Sequence, residues 1–568
     1  MISPIRCSAV VLTSAALLSL PTQKAVAQAG AFEKYKFEAL QFSQLQPSGT
    51  SRTQAMGGAG VALGADLGSF LLNPANLGSY RRSEFSISPG LLLNSQDTNA
   101  GLFGRPLNTA TSDGRNNFNI ANLGVAIATT NDNAGSDWRG GAVGINFSRL
   151  ATFSNRRTYA LTGLDSSRSV NEFLLQDFFL PNKGNGDANE LFNNFDDNII
   201  STFADLAYRT YLIDFPTDST YSTPLWHQSR ARQSETTTVR GAVNQIDIGY
   251  GGSYRDKFYL GGSLGIVTMR YEQTRELTET LDVPTTGRAS DISSISLRDS
   301  YETQGAGINL RIGAVYRPAD FVRLGASVQT PTFASELKET VEPTTLTVNY
   351  RRPFGADLQT SYTSSIPASE FQYSLTTPFR AMGGLTLIFK PKSETMTNEA
   401  GEQMIRQGSA VAGLLSADIE YVNYGRARLS AIDNDPAQAD FSAANAAIRR
   451  EYASAVNYRV GGELRLGQVY VRGGYATYAN PFKDQLRGSE RQVVATGFGL
   501  RRANSYIDFG ISRTTLTADL YSPYQLKKYD PNDVRADAAG YVEEPYEPVV
   551  SSKITIVNPT VTVGFVIQ

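Results

Sequence analysis

The chain of 568 residues carries 52 basic against 54 acidic side chains, with 50 Gly, 28 Tyr and 28 Phe but one Cys, one His and two Trp. A charge this close to balance argues against nucleic acid as a partner, and a single cysteine excludes a disulfide-stapled domain. No apolar run reaches the ~18 residues that a spanning helix needs, whereas abundant Gly and aromatic residues suit many strands, turns and aromatic girdles. A membrane protein of this composition has to be a β-barrel.

Residues 1–27 read as an export signal. Arg6 gives a positive start, Ala9 to Leu20 an apolar stretch too short to span, and Ala25-Val26-Ala27 a small-residue cleavage site before Gln28. Its removal takes Arg6, Lys24 and Cys7 away, so 52 − 2 = 50 basic residues face 54 acidic ones and no thiol remains. An exported, cysteine-free, strand-rich chain suits the Gram-negative outer membrane. Residues 28–45 are aromatic and mildly amphipathic, either a short helix or an extended arm. From Gln46 to Tyr80 the chain is rich in Gly, Ala and Ser and reads as packed irregular backbone, a plug ahead of a barrel. Gly57, Gly58, Gly60, Gly64 and Gly68 permit positive φ and close backbone approach, and Pro74 biases Asn73 away from the helical region, making Asn73-Pro74-Ala75 a turn. The expected domains are therefore an arm and hatch over 28–82 and a transmembrane barrel over 83–568.

Downstream, apolar residues alternate with period two. In NYRVGGELRL, Tyr458, Val460, Gly462, Leu464 and Leu466 oppose Asn457, Arg459, Gly461, Glu463 and Arg465. Ile308, Leu310, Ile312, Ala314 and Tyr316 likewise oppose Asn309, Arg311 and Arg317, and the pattern returns around Asp418-Ile419-Glu420 and Asp508-Phe509-Gly510. Charges on the inner face of a soluble sandwich would be an expensive core, whereas a barrel with lipid outside and a wet lumen inside accommodates them.

The expected strands are 83–94, 115–130, 138–150, 239–254, 257–276, 294–317, 320–340, 368–390, 410–430, 453–466, 468–480, 491–502, 505–518 and 553–567, an all-β antiparallel barrel of about fourteen strands, an even number as such barrels have. Even-numbered connections are very short, apart from 391–409, while all odd-numbered ones are longer. Short periplasmic turns and long outer loops follow, with the plug attached on the periplasmic side. The largest outer loop, about 151–238, carries helical spacing in Asn171 to Leu180 and Asp187 to Asp214. Phe173, Leu174, Phe178 and Phe179 are then either a landing surface for a hydrophobic ligand or part of a self-packed lid. The last strand ends in Gln568, so Phe565 supplies the aromatic signal near the C-terminus.

The Gly-rich segment with Asn73-Pro74-Ala75 resembles the FadL/TodX family of outer-membrane transport proteins for hydrophobic compounds. Further similarity lies in GAGINLRIGAVYRPADFVRLGASVQTP (Gly305 to Pro331), TPFRAMGGL (Thr377 to Leu385), SADIEYVNYG (Ser416 to Gly425) and YRVGGELRLGQVYVRGGYA (Tyr458 to Ala476). Asn76 stands where that family often has Gly. The resemblance implies passive uptake by a monomer: outer loops catch a hydrophobic small molecule, most simply a long-chain fatty acid, and the barrel releases it into outer-membrane lipid after the hatch of Gly57, Gly58, Asn73, Pro74 and Ala75 shifts.

Three alternatives compete. An enzyme would have to use His227, the only histidine, or a carboxylate pair such as Asp196-Asp197 or Asp418 with Glu420. A lone loop histidine is more often a polar surface group, and these carboxylates more often solvated or lumen-facing. An escort role in protein secretion would need a protein partner. A haem receptor would need axial ligands, which one His and six Met supply poorly. No metal-ligand cluster stands out, and no cofactor is expected.

Overall fold

The computed structural model describes residues 31–567 except 103–104, 132, 134, 165–168, 172, 175–192, 218–219, 223–229, 283–291, 355–357, 390–392, 398–402, 408–411, 433–440, 485–487, 522–523, 525–527, 530–540 and 543–547. The proposed signal, Cys7, Phe178, Phe179 and His227 lie outside the described residues.

Fourteen antiparallel staves form the wall: β1 (Ser83–Leu102), β2 (Arg105–Thr130), β3 (Trp138–Thr152), β4 (Ala231–Tyr254), β5 (Phe258–Leu281), β6 (Ile292–Ala319), β7 (Val322–Gln329, resuming as Phe333–Val341), β8 (Ser369–Thr376, resuming as Arg380–Phe389), β9 (Ala412–Asn423, resuming as Arg428–Ala431), β10 (Ser454–Leu466), β11 (Val469–Tyr478), β12 (Arg491–Arg501), β13 (Ser505–Tyr521) and β14 (Pro548–Ile567). The last stave pairs with the first, from Ser83↔Ile567 to Leu102↔Pro548, so the sheet is a closed barrel. Closure removes the edge that hydrocarbon could not satisfy.

The period-two pattern decides which face meets lipid. Tyr458, Val460, Leu464 and Leu466 are each more than half exposed, whereas Asn457, Arg459 and Glu463 are buried inside. Ile308, Leu310 and Ile312 likewise face out while Asn309 and Arg311 face in. Aromatic side chains crowd the short-turn rim: Trp138 packs edge-on against Tyr254, and Phe258 stacks on Tyr316.

The turns fall where parity puts them, with corrections at the loop end, where the connection expected over 341–367 contains the paired strands Thr344–Phe354 and Gln359–Ile366. The connection expected over 95–114 is almost entirely strand, since β1 and β2 stay paired from Glu84↔Ala126 to Leu102↔Arg105. Most side chains of 95–114 are polar, so backbone ladder bonds continue there without any alternation to announce them. The long loop is likewise shorter than 151–238: strand Asn155–Leu164 extends the wall by pairing with the outer half of β4, its Tyr159 and Leu161 buried in the outer apolar core. At the turn end the one long connection contains the hairpin Ser393–Thr397/Gln403–Gln407. The breaks in β7 and β8 sit at Pro331 and Pro378, which have no N–H for the ladder. There Thr332 N donates to Thr377 Oγ1 at 2.9 Å and Thr377 N to Thr332 O at 3.0 Å.

Residues 31–80 lie inside the barrel. The arm is the helix α1 (Ala31–Ser43), buried on most of its surface, and below it come α2 (Ser51–Ala55), α3 (Leu67–Leu72) and the 3-10 turn Pro74–Ser79. Two apolar cores lie nearer the loop end. One gathers Tyr35, Leu40 and Phe42 of α1 with Phe153, Tyr271, Tyr373 and Phe441. The other gathers Tyr159, Leu161, Leu206, Leu212, Leu297 and Tyr350, including residues of α4 (Phe203–Arg209).

Val460 faces lipid within the apolar band, so Val460→Arg is expected to destabilise the barrel by about 2–4 kcal/mol. Urea unfolding in phospholipid vesicles measures this, and a charge tolerated without loss there would mean that this face does not meet hydrocarbon.

Candidate functional site

The candidate site is the contact between the plug and the inner wall, with the apolar lumen above it. Each short plug helix is capped by its own side chain: Thr50 accepts from Thr53 N, and Asp66 from Ser69 N at 3.0 Å. These caps satisfy backbone donors that water cannot reach.

The turn at Asn73 forms as expected. Its backbone is extended, Pro74 opens the 3-10 turn, and its side chain accepts from Ala75 N at 3.0 Å while donating to Val61 O at 2.8 Å and to Ala314 O of β6 at 3.2 Å. Asn76 is fully engaged: it accepts from Gly64 N at 3.1 Å and donates to Gly60 O at 3.1 Å and Ser69 O at 3.2 Å. A glycine there would leave three buried backbone groups without that partner.

Buried charges fix the plug to the wall. Glu463 of β10 lies between Arg52 of α2 and Arg472 of β11, each at 2.8 Å, and Arg472 also holds Asp508 of β13 at 2.8 Å. Asp418 of β9 accepts from Gly60 N at 2.6 Å and Val61 N at 3.0 Å. Glu420 is shared by Arg380, Arg459 and Asn457. Side chains and plug backbone fill the lumen at this level, and Asp418 and Glu420 are buried acceptors of hydrogen bonds within the protein. Asp196 and Asp197, by contrast, are exposed.

Wall glycines let the plug backbone lie against the staves. A Cβ on Gly474 would come within 2.1 Å of Met56 C, one on Gly461 within 2.3 Å of Met56 O, and one on Gly261 within 2.5 Å of Pro74 C. The plug supplies its half at Gly57, whose φ of +67° favours glycine and whose Cβ would meet Tyr475 N at 2.8 Å, and at Gly58, packed on Arg459. Sequence reasoning credited the plug glycines and missed those of the wall. Their signal was the inward-facing member of Gly-Gly pairs within the strands, Gly461 of Gly461-Gly462 and Gly474 of Gly473-Gly474.

Higher up, α1 is held by Lys34–Glu339 at 2.7 Å, Lys36–Glu451 at 2.5 Å and Tyr373 Oη donating to Glu38 at 2.6 Å. Burial pushes the Glu38 carboxyl up from 4.5 to about 7; Lys34 opposes this and the Glu339 carboxylate reinforces it. Of the expected loop surface, Leu174 is wholly buried and Phe173 partly so, both packed in the outer apolar core. This corrects their reading as an exposed landing surface: rings and aliphatic groups of the loop and the extended staves bury each other. Among the described residues no group of three or more His, Cys, Asp or Glu is placed to hold a metal.

No protein-family model and no curated relative matches the chain. Solved structures similar to it include a Pseudomonas aeruginosa FadL homologue (13% identity, 92% of this chain and 99% of that one, TM-score 0.49). Others are the Ralstonia pickettii toluene transporter TbuX (15%, 92% and 99%, 0.43) and the P. putida toluene transporter TodX (12%, 92% and 100%, 0.45).

Glu463→Ala leaves Arg52 and Arg472 without their shared carboxylate, so the seating of α2 is expected to weaken by about 3–5 kcal/mol, read as faster amide exchange over Ser51–Ala55. The raised Glu38 value means that seated α1 binds a proton that the undocked helix has lost. Seating is thus strongest below about pH 4.5 and weakens as pH rises through about 7. Exchange over Ala31–Ser43, corrected for intrinsic rates, should be faster at about pH 8 than at about pH 5, and Glu38→Gln should flatten the difference. In its motifs and in its fourteen-stave barrel around an N-terminal plug, the chain resembles the FadL/TodX family of outer-membrane transport proteins for hydrophobic compounds.

Proposed function

We propose that the protein is an outer-membrane channel for passive uptake of hydrophobic small molecules, with long-chain fatty acids or similar lipophilic compounds as solutes. The observation that carries this reading is the stacking of two apolar, aromatic-rich cores in the lumen above a plug held by reversible polar contacts. Such cores offer a poorly water-soluble solute apolar side chains at two levels of the lumen. The solute is caught among the outer loops, replaces side chain–side chain contacts of the cores as it descends, and leaves once the hatch of Gly57, Gly58, Asn73, Pro74 and Ala75 shifts.

The described N-terminal segment is the moving part in this reading, and its contacts with the wall are suited to the role. They combine hydrogen bonds and ion pairs at backbone contact with small apolar clusters, such as Leu67, Phe70 and Leu77 against Ala126 and Ala142. Residues 1–27 act as the export signal, 28–82 as arm and hatch, and 83–568 as the barrel in the Gram-negative outer membrane, working as a monomer.

Plug movement is testable with a redox lock. Ser51 Oγ and Thr562 Oγ1 lie 2.9 Å apart across the plug–wall contact, and Cys7 is the only cysteine in the sequence. Cells carrying Ser51→Cys with Thr562→Cys are expected to take up labelled fatty acid several-fold more slowly when oxidised, with recovery on reduction. Equal uptake in both states would sink the moving hatch. Uptake independent of the protein, with a stoichiometric exported protein bound to it instead, would favour an escort.

A further inference from the structure

On the lipid-facing side of the barrel a groove of about 830 Å³ crosses the seam where β14 closes on β1, running from Phe118 of β2 to Val471 of β11. Leu91, Phe498 and Ile511 stand along it, and Thr496 is its small polar side chain. Two features of the sequence make this hollow. Pro89 and Pro559 have no N–H to give the ladder, and the partners of β1 and β14 skip from Ile87↔Val563 to Gly90↔Thr560 to Leu93↔Val557. On the inner side α2 presses on the wall at glycines: a Cβ on Gly497 would come within 2.6 Å of Ala55 Cβ, and one on Gly510 within 2.8 Å of Ser51 O. The wall here is a single backbone layer between plug and membrane, and the plug closes it from the lumen.

A cation stands at the upper edge of this hollow. Arg513 lies two residues farther toward the loop end than Ile511 on the same outward face of β13, roughly 7 Å along the stave, and is exposed. Its cross-strand partners are Val494 and Val557. It makes no ion pair, hydrogen bond or ring contact with any described residue. A guanidinium bordered by apolar side chains at the rim of a hydrocarbon band calls for an anionic group from outside the chain, and phosphate matches its fork geometry.

We propose that the seam is a binding site for a phosphate-bearing membrane lipid, one acyl chain lying in the groove and the headgroup phosphate on Arg513. The groove is continuous with the apolar belt, so a lipid reaches it by lateral diffusion alone, whereas a solute in the lumen faces the plug and the wall. The bound chain fills the hollow beside Pro89 and Pro559, supplying packing contacts where the wall is thinnest and its ladder weakest.

The test uses the intact protein in phosphatidylcholine vesicles doped with phosphatidylglycerol that carries a photoactivatable group on its acyl chain, with cross-linked peptides mapped by mass spectrometry. Cross-links are expected to concentrate on groove residues over outward residues of the opposite wall such as Leu324 and Leu385. Thr496→Trp, which fills the groove, should lower that yield about tenfold. Arg513→Gln should lower it by about three- to tenfold and abolish the preference for phosphatidylglycerol over an equally labelled diacylglycerol, which has no phosphate. Heat-modifiable gel mobility checks that both variants remain folded barrels, and the wild-type map stands without them. Even labelling around the belt would overturn the site. So would equal yield from wild type and Arg513→Gln, or a labelled free fatty acid displacing the phospholipid from the groove.

Discussion

One carboxylate between two guanidinium groups, Glu463 between Arg52 and Arg472, governs how the inside of this barrel is built. All three are buried, and removing charges from water costs more than a single ion pair returns unless the remaining donors and acceptors are also met. The wall alone cannot meet them. Arg52 comes from the plug, as do the Gly60 and Val61 amides on Asp418. The inner face is thus completed by the N-terminal segment, and the segment in turn has no apolar core of its own large enough to fold alone. Plug and wall specify each other through polar groups, which have directional requirements that an apolar contact lacks.

This explains what was legible in the sequence and what was not. Alternation at Tyr458 to Leu466 and Ile308 to Tyr316 assigned inside and outside residue by residue, because one face has to satisfy hydrocarbon. The stave number followed, because each crossing needs its own apolar band. The extension of β1 and β2 to Leu102 and Arg105 was illegible for the converse reason: above the membrane no solvent boundary imposes a period, and paired backbone carries the ladder alone. The seat of α1 was equally hidden. A helix with Lys34, Lys36 and Glu38 reads as half-exposed until Glu339, Glu451 and Tyr373, hundreds of residues away, are brought around it. At the plug, glycines signalled close approach on one side of the contact, but the matching wall glycines hide inside an ordinary strand pattern.

The polar seat and the apolar lumen respond differently to a hydrophobic solute. The cores around Phe42 and around Leu206 are made of side chains that repack with modest loss when a ligand of similar surface replaces them, since dispersion and burial are non-directional. The hydrogen bonds of the plug are all-or-none by comparison: Asp418 that loses Gly60 and Val61 must find water or another donor. In the proposed uptake a solute would therefore spread gradually through the upper lumen, while passage at the level of α2 and Asn73 would require a concerted change. The two regions meet at α1, whose Phe42 packs in the middle core against Phe153 and Tyr271 and whose Ser43 carbonyl accepts from Arg380, the partner of Glu420. In the proposed uptake, displacing Phe42 from its aromatic neighbours would strain a stretch of backbone that also touches the ion-pair layer. The chain from Phe42 to Leu45, whose carbonyl accepts from Arg491 at 2.6 Å, would then link occupancy of the apolar lumen to the polar plug.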